Sequence, residues 1–277
     1  MTTPIGIFDS GIGGLSVLKA LRAELPHEDF IYIADSGHAP YGERDDAYVM
    51  ARSLAISEYL VKQNIKALVV ACNTATAAAI DLLRATYPTL PIIGVEPALK
   101  PAVQLSRTKH IAVMATRSTL ASARFAALLA AHQNQADFTL LPCDGLAEAI
   151  ERSAQHSNAT ELIANCAQII RAARLFGTEN TAKKRIDTVV LGCTHYPLAA
   201  QYIEQQISQQ AGAGVQLIDT GAAVARQTRL RLGSPLVAQR NIATPQFIST
   251  GSPNALQAAA KAWLGMTADI RSLVIKG

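Results

Sequence analysis

Cysteine is scarce in this chain: four in 277 residues, at 72, 143, 166 and 193, with no two in a C-x-x-C pair. So few, so scattered, exclude a disulfide framework, and the missing pair excludes the common zinc and redox motifs. No run approaches about 18 uninterrupted apolar residues, and no basic stretch precedes Asp9 at the N-terminus. Neither a membrane span nor a signal peptide is therefore expected. Charge is sparse too, at 17% of residues, with 25 Lys plus Arg against 21 Asp plus Glu and a net +4. Its nearest approaches to basic clusters are Lys183-Lys184-Arg185 and Arg226 through Arg231. Without a broad stripe and stacking aromatics, both read as solvated faces, so no nucleic-acid partner is expected. What the chain does have is 49% hydrophobic residues, enough to bury a large core in one large domain or two small ones. The expected address is the cytoplasm, where the cysteines stay thiols.

Short apolar runs rich in β-branched residues alternate with helical patterns. Strands are expected at Pro4 to Phe8, Phe30 to Ala34, Ala67 to Ala71, Pro91 to Val95, Ile111 to Met114, Phe138 to Leu141, Thr188 to Leu191, Gln216 to Ile218 and Gln246 to Ser249. Helices are expected over Leu15 to Leu25, Asp46 to Gln63, Thr76 to Ala85, and from Pro197 through Tyr202. Near-continuous apolar strands separated by helices imply an α/β fold with parallel sheets covered on both faces. Prolines 91, 97 and 101 and the stretch Ala211 to Gly214 punctuate the chain, and no long linker is evident.

Ile65 to Thr74 is echoed 121 residues later by Ile186 to His195, each an apolar strand running into cysteine. Apolar strands resemble one another, so chance also produces such echoes. A genuine repeat would put a thiol at the carboxyl end of a parallel strand in each of two α/β units, the edge where open sheets bind ligands. Cys72 leads into Asn73, Thr74 and an alanine-rich helical run, so thiol, amide and hydroxyl converge at a helix start that favours carboxylates and thiolates. Cys193 leads into Thr194, His195, Tyr196 and Pro197, the last suited to a first helical turn. Alternatively, Asn73 and Thr194 merely cap helices. Cys143 and Cys166 lack such neighbours and read as structural.

The loop Asp9-Ser10-Gly11-Ile12-Gly13-Gly14 follows a strand, and Asp35 ends the next, which invites a dinucleotide reading. Ser16 stands where G-x-G-x-x-G needs glycine, and Asp9 would repel a pyrophosphate, so the loop more readily presents Asp9 and Ser10 to the cleft of Cys72. The stretch Asp35 through Gly42 is likewise suited to lining a cleft. A cysteine hydrolase built on Cys193 and His195 is a second reading. Their two-residue spacing weakens it, and Cys72 is left unexplained. Two thiols facing each other across a small ligand suit removal of a proton from one face of a carbon and delivery to the other, which inverts a stereocentre.

The segments Phe8 to Val17, Ala34-Asp35-Ser36 with Pro40-Tyr41-Gly42, Ala71 to Ala75, and Leu191 to Leu198 together resemble the bacterial glutamate racemases of the cofactor-independent aspartate/glutamate racemase superfamily. The resemblance implies two pseudo-symmetric parallel-sheet α/β domains, residues 1–97 plus 211–277 and residues 98–210, with glutamate bound between them. It implies Cys72 and Cys193 as the two bases, Asp9 assisting Cys72 and His195 assisting Cys193. Substrate contacts fall on Asp9, Ser10, Tyr41, Gly42, Asn73, Thr74, Thr194 and His195. A glutamate near Cys193 belongs to the pattern, usually after Cys-Pro. Here Cys143-Asp144 replaces that pair, and Glu151 has the expected spacing while Glu148 lies one turn away and competes for the role. No lysine occurs in the motif blocks, no pyridoxal site is evident, and no cofactor or metal is expected.

The resemblance also implies supply of D-glutamate for peptidoglycan. Relatives acting on aspartate or a hydantoin, and a binding protein without turnover, remain alternatives. Members often form homodimers, though no interface patch can be read from the sequence. With Met1 eight residues before Asp9, no N-terminal extension to host a cell-wall-precursor activator is expected.

Overall fold

The structure is a computed structural model and describes residues 3–156, 158–172, 185–211, 214–233 and 244–275. Its strands in chain order are β1 (Ile5–Asp9), β2 (Phe30–Ala34), β3 (Ala67–Val70), β4 (Ile92–Gly94), β5 (His110–Ala115), β6 (Asp137–Pro142), β7 (Thr188–Leu191), β8 (Gln216–Ile218), β9 (Gln246–Ser249) and β10 (Ile270–Ser272). The helices are α1 (Leu15–Glu24), α2 (Asp46–Lys62), α3 (Asn73–Thr86), α4 (Leu99–Leu105), α5 (Arg117–Ala121), α6 (Ala123–Ala130), α7 (Leu146–His156), α8 (Thr160–Ala172), α9 (Ala200–Ala211), α10 (Gly221–Leu232) and α11 (Pro253–Leu264).

The chain divides into two compact units, Met1–Val95 with Gly221–Gly277, and Glu96–Thr220. The first holds a six-stranded sheet in the order β10-β9-β2-β1-β3-β4, the second a four-stranded sheet in the order β6-β5-β7-β8. Every pairing is parallel. Numbering strands within each unit, both sheets contain the order second, first, third, fourth. The first unit extends it with β9 and β10 beside its second strand.

Strand alternation sorts the first unit's core. Phe8, Ile31, Ile33, Leu68, Val70 and Ile248 pack with Val49, Ile56 and Leu60 of α2 and Ala79, Ile80 and Leu83 of α3. The intervening Ile7, Tyr32, Val69 and Phe247 are also fully buried, which requires cover on the opposite face. Helix α10 packs there against α1 and reaches β3 and β4. In the second unit Ile111, Val113 and Val190 pack with Leu99, Ala102 and Val103 of α4 and with Phe125 of α6.

The structure departs from the sequence reading in four places. The second unit runs to Thr220 rather than 210, because Gln216 to Ile218 pairs with Thr188 to Val190 and so belongs to the inserted sheet. Helix α3 begins at Asn73 rather than Thr76, since the sulfur of Cys72 itself caps it. Pro197 lies in a single 3-10 turn, Tyr196–Ala199, that leads into α9. Strand β10 was not anticipated: three residues long, it places Arg271 mid-strand and carries no apolar alternation. Arg226, Arg229 and Arg231 lie exposed on α10, with Arg229 Nε 2.6 Å from Glu24 Oε1. Lys183 and Lys184 lie outside the described residues. No helix among the described residues is long and apolar enough to cross a membrane.

Candidate active site: one cysteine cluster on each unit

In the first unit β1 is flanked by β2 and β3, so the chain leaves three adjacent strands at one sheet edge. The Ala71 N–H donates to the Phe8 carbonyl at 2.8 Å and the Asp35 N–H to the Asp9 carbonyl at 2.9 Å. Asp9, Asp35 and Cys72 are thereby set along the carboxyl edge of the sheet. Asp9 is fully buried, and its Oδ2 accepts the Gly14 N–H at 2.8 Å. A Cβ on Gly14 would stand 2.7 Å from Asp9 Cβ and 2.9 Å from the Tyr32 hydroxyl, so the loop closes on the carboxylate only because that residue has no side chain. The Gly14 amide, which a dinucleotide loop would offer to a pyrophosphate, is thus turned onto Asp9.

Cys72 has extended backbone and caps α3, its Sγ accepting the Ala75 N–H at 3.4 Å. Its thiol lies 3.8 Å from Ser10 Oγ. Asn73 and Thr74 are buried in the first turn of α3, and Asn73 Nδ2 has no hydrogen-bond partner among the described residues. A buried amide donor without an acceptor costs about 1–3 kcal/mol, which a ligand oxygen would recover. Tyr41 is buried among the same apolar side chains as Cys72 and donates its hydroxyl to Asp35 Oδ2 at 2.5 Å. Burial and the neighbouring Asp35 carboxylate push that hydroxyl far above its ordinary value, so it stays a donor.

In the second unit Cys193 follows β7, the third strand, as Cys72 follows β3. The Gly192 N–H donates to the Met114 carbonyl at 2.7 Å, and a Cβ there would stand 2.8 Å from that same oxygen. Cys193 Sγ lies 3.7 Å from His195 Nδ1, and His195 Nε2 lies 2.7 Å from Glu151 Oε1 of α7. Burial opposes a charged imidazole, but its contacts with Cys193 and Glu151 prevail and raise His195 well above its ordinary value. Of the two carboxylates left open by the sequence, Glu151 reaches the histidine. Glu148 is held by Arg152 Nη1 at 2.6 Å. Thr194 is buried between Cys193 and His195.

Cys143 and Cys166 are also buried. Burial raises Cys143 strongly and lifts Cys166 to about 11, so both remain protonated thiols at neutral pH. The Cys143 thiol donates to the Leu141 carbonyl at 3.3 Å, and the Tyr196 hydroxyl donates to the Cys143 carbonyl at 3.5 Å.

Sequence reasoning missed Arg52. Both Nε and Nη2 donate to Asp35, at 3.1 and 2.8 Å, and Thr250 Oγ1 donates to the same carboxylate at 2.8 Å. An arginine on an amphipathic helix carries no local sign of burial. Taken alone, Cys193, His195 and Glu151 have the connectivity of a nucleophilic triad, with a carboxylate holding the histidine. That reading gives Cys72, Asp9 and Asn73 no task.

Residues 14–228 match the model of the family described as Asp/Glu/Hydantoin racemase. A glutamate racemase of Ralstonia pickettii is 47% identical over 263 residues, 95% of this chain and 88% of the relative. One from Pseudomonas aeruginosa is 40% identical over 98% of this chain and 97% of its own length. Among solved structures, glutamate racemase isoform RacE1 of Bacillus anthracis superposes with a TM-score of 0.83 at 29% identity, covering 99% of this chain and 98% of that one. The Escherichia coli glutamate racemase in complex with L-glutamate and the activator UDP-MurNAc-ala gives 0.83 at 28% identity, covering all of both chains.

Proposed function

This chain belongs to the Asp/Glu/hydantoin racemase family, and from that premise we propose that it is a glutamate racemase, interconverting L- and D-glutamate by proton transfer at Cα between two cysteines. The observation that carries this reading is the equivalent placement of Cys72 and Cys193, each after the third strand of the same four-strand order. Cys193 faces His195, which Glu151 holds, and Cys72 lies 3.8 Å from Ser10 Oγ at the start of α3. A single thiol would serve a hydrolase; two in matching positions suit a reaction that is its own reverse.

In the forward direction one cysteine, as thiolate, takes the Cα proton and the electron pair stays on carbon. The other cysteine, as thiol, donates its proton to the opposite face. The thiolate and thiol have then exchanged places, which readies the enzyme for the other enantiomer. Asp9 assists proton movement at Cys72, and His195, steadied by Glu151, does so at Cys193. Ser10, Asn73, Thr74 and Thr194, with the Tyr41 and Gly42 turn, bind the substrate carboxylates and amine. The α3 N-terminus and the Asn73 amide supply fixed dipoles where negative charge develops, the term that usually dominates such catalysis. The product D-glutamate feeds peptidoglycan precursors in the cytoplasm, and a homodimer is the assembly proposed.

The test is incubation of the purified chain with L-glutamate in D₂O without added cofactor, following optical rotation and the α-proton NMR signal. Rotation decaying to zero with deuterium entering Cα supports the reading. Exchange with L-aspartate alone reassigns the substrate, and tight glutamate binding without exchange replaces catalysis with binding.

A further inference from the structure

Asp35 accepts four hydrogen bonds from three separate parts of the first unit: the Tyr41 hydroxyl, two nitrogens of Arg52 on α2, and Thr250 Oγ1 after β9. Arg52 and Asp35 are 2% and 0% exposed, so this is a fully desolvated ion pair. The remaining terminal nitrogen of Arg52 donates to the Ile275 carbonyl at 2.7 Å, tying the pair to the segment after β10. Backbones close around it as well. A Cβ on Gly37 would stand 2.7 Å from the Thr250 carbonyl, and one on Gly251 would stand 2.8 Å from the Gly37 amide.

A buried ion pair is rarely retained for stability alone, since apolar residues of similar volume stabilise as well or better. Here the pair lies behind Tyr41, the first residue of the turn Tyr41–Glu43. We propose that Arg52 is a positioning residue for the substrate-carboxylate end of this cluster: it holds Asp35 so that the Tyr41–Gly42 turn is fixed, and it cancels the Asp35 charge behind a pocket that must receive an anion. This inference rests on the racemase reading above. Charge cancellation and positioning separate cleanly. Without Arg52, Asp35 would be an uncompensated negative charge behind a pocket that receives a substrate carboxylate. Without both charges, the repulsion disappears even though the tie to α2 is lost.

The test compares the full chain with R52M, D35N/R52M and R52K, reading KM and kcat for glutamate in both directions per folded molecule. R52M is expected to raise KM at least tenfold. D35N/R52M is expected to recover most of that rise, and R52K to show a smaller one because lysine keeps the charge but not the two-pronged geometry. Should R52M fail to fold, R52K decides: a threefold or larger rise in KM supports the role, and a parental KM overturns it. Parental KM in folded R52M, or no recovery in D35N/R52M, also overturns it. If the unaltered chain racemises glutamate and these variants bind it normally, this inference alone fails. If the unaltered chain does not turn glutamate over, the racemase reading fails and takes this inference with it.

Discussion

His195 and Glu151, 44 residues apart in sequence, meet at 2.7 Å between Nε2 and Oε1, while the other ring nitrogen faces the sulfur of Cys193. The carboxylate therefore holds the ring's orientation, and Cys193 together with Glu151 favours the charged form against the opposing effect of burial.

Replacing Glu151 with glutamine keeps the size and a hydrogen-bonding group but removes the charge. The imidazole of His195 is expected to titrate lower in E151Q than in the parent, where it lies well above 6.5. Ring-nitrogen NMR across pH 5 to 9 reads this directly. Turnover is expected to fall about 10²-fold, the order associated with impaired general acid-base catalysis. An unmoved titration would separate Glu151 from the histidine.

Cys72→Ala and Cys193→Ala are each expected to lower kcat/KM by at least about 10³-fold. Because the two products are enantiomers, the equilibrium constant is unity and the loss must be equal in both directions. Cys143→Ala and Cys166→Ala, which remove buried thiols held protonated by their surroundings, should stay within threefold of the parent. Polarimetry on all four variants, with circular dichroism as the folding control, checks the contrast.

Gly14→Ala places a methyl group within 2.7 Å of Asp9 Cβ. Relief requires the loop or β1 to move, at a cost of about 1–3 kcal/mol. Both the urea midpoint and turnover should fall, since the displaced group is Asp9. A variant with parental stability and rate would show that the loop yields without disturbing the carboxylate.

Two groups shape the dependence of stability on pH. Burial raises the carboxyl of Asp187, but hydrogen bonds from Ser106, the Thr108 and Arg107 amides and Thr188 prevail and hold it below its ordinary 3.8. Its contribution is present in full above that value and is lost as pH falls through the lower folded value. His195 behaves oppositely: its contribution is full below 6.5 and is lost as pH rises through its raised folded value. Denaturant titrations from pH 2 to 9 should show both limbs. D187N should flatten the acid limb and H195N the alkaline one.

The parallel strands were legible because an apolar run of four or five residues between helices has few other uses. Thr188 to Leu191, Gln216 to Ile218 and Gln246 to Ser249 coincide with β7, β8 and β9. Cys72 and Cys193 stood out because each ends such a run. What the sequence concealed depends on partners distant in the chain. Spacing in the resembled pattern favours Glu151 over Glu148 one turn away, but the physical difference is that His195 lies within reach of one and Arg152 occupies the other. The burial of Arg52 depends on Asp35, 17 residues away, and on the Ile275 carbonyl, 223 residues away. The resemblance ends the inserted unit at 210, whereas the pairing of Gln216 to Ile218 with Thr188 to Val190 carries the compact unit to Thr220.

The interruption of the first unit by the second also sets an order of assembly. Glu96–Thr220 is continuous and holds all four strands of its own sheet. The first unit begins earlier on the ribosome, yet β9, β10, Thr250 and Ile275, which flank and brace Asp35, are synthesised after the whole of the second unit. The cysteine nearer the N-terminus therefore acquires its finished surroundings after the one nearer the C-terminus, and a chain that stopped before β9 would hold every strand of the second sheet but not of the first.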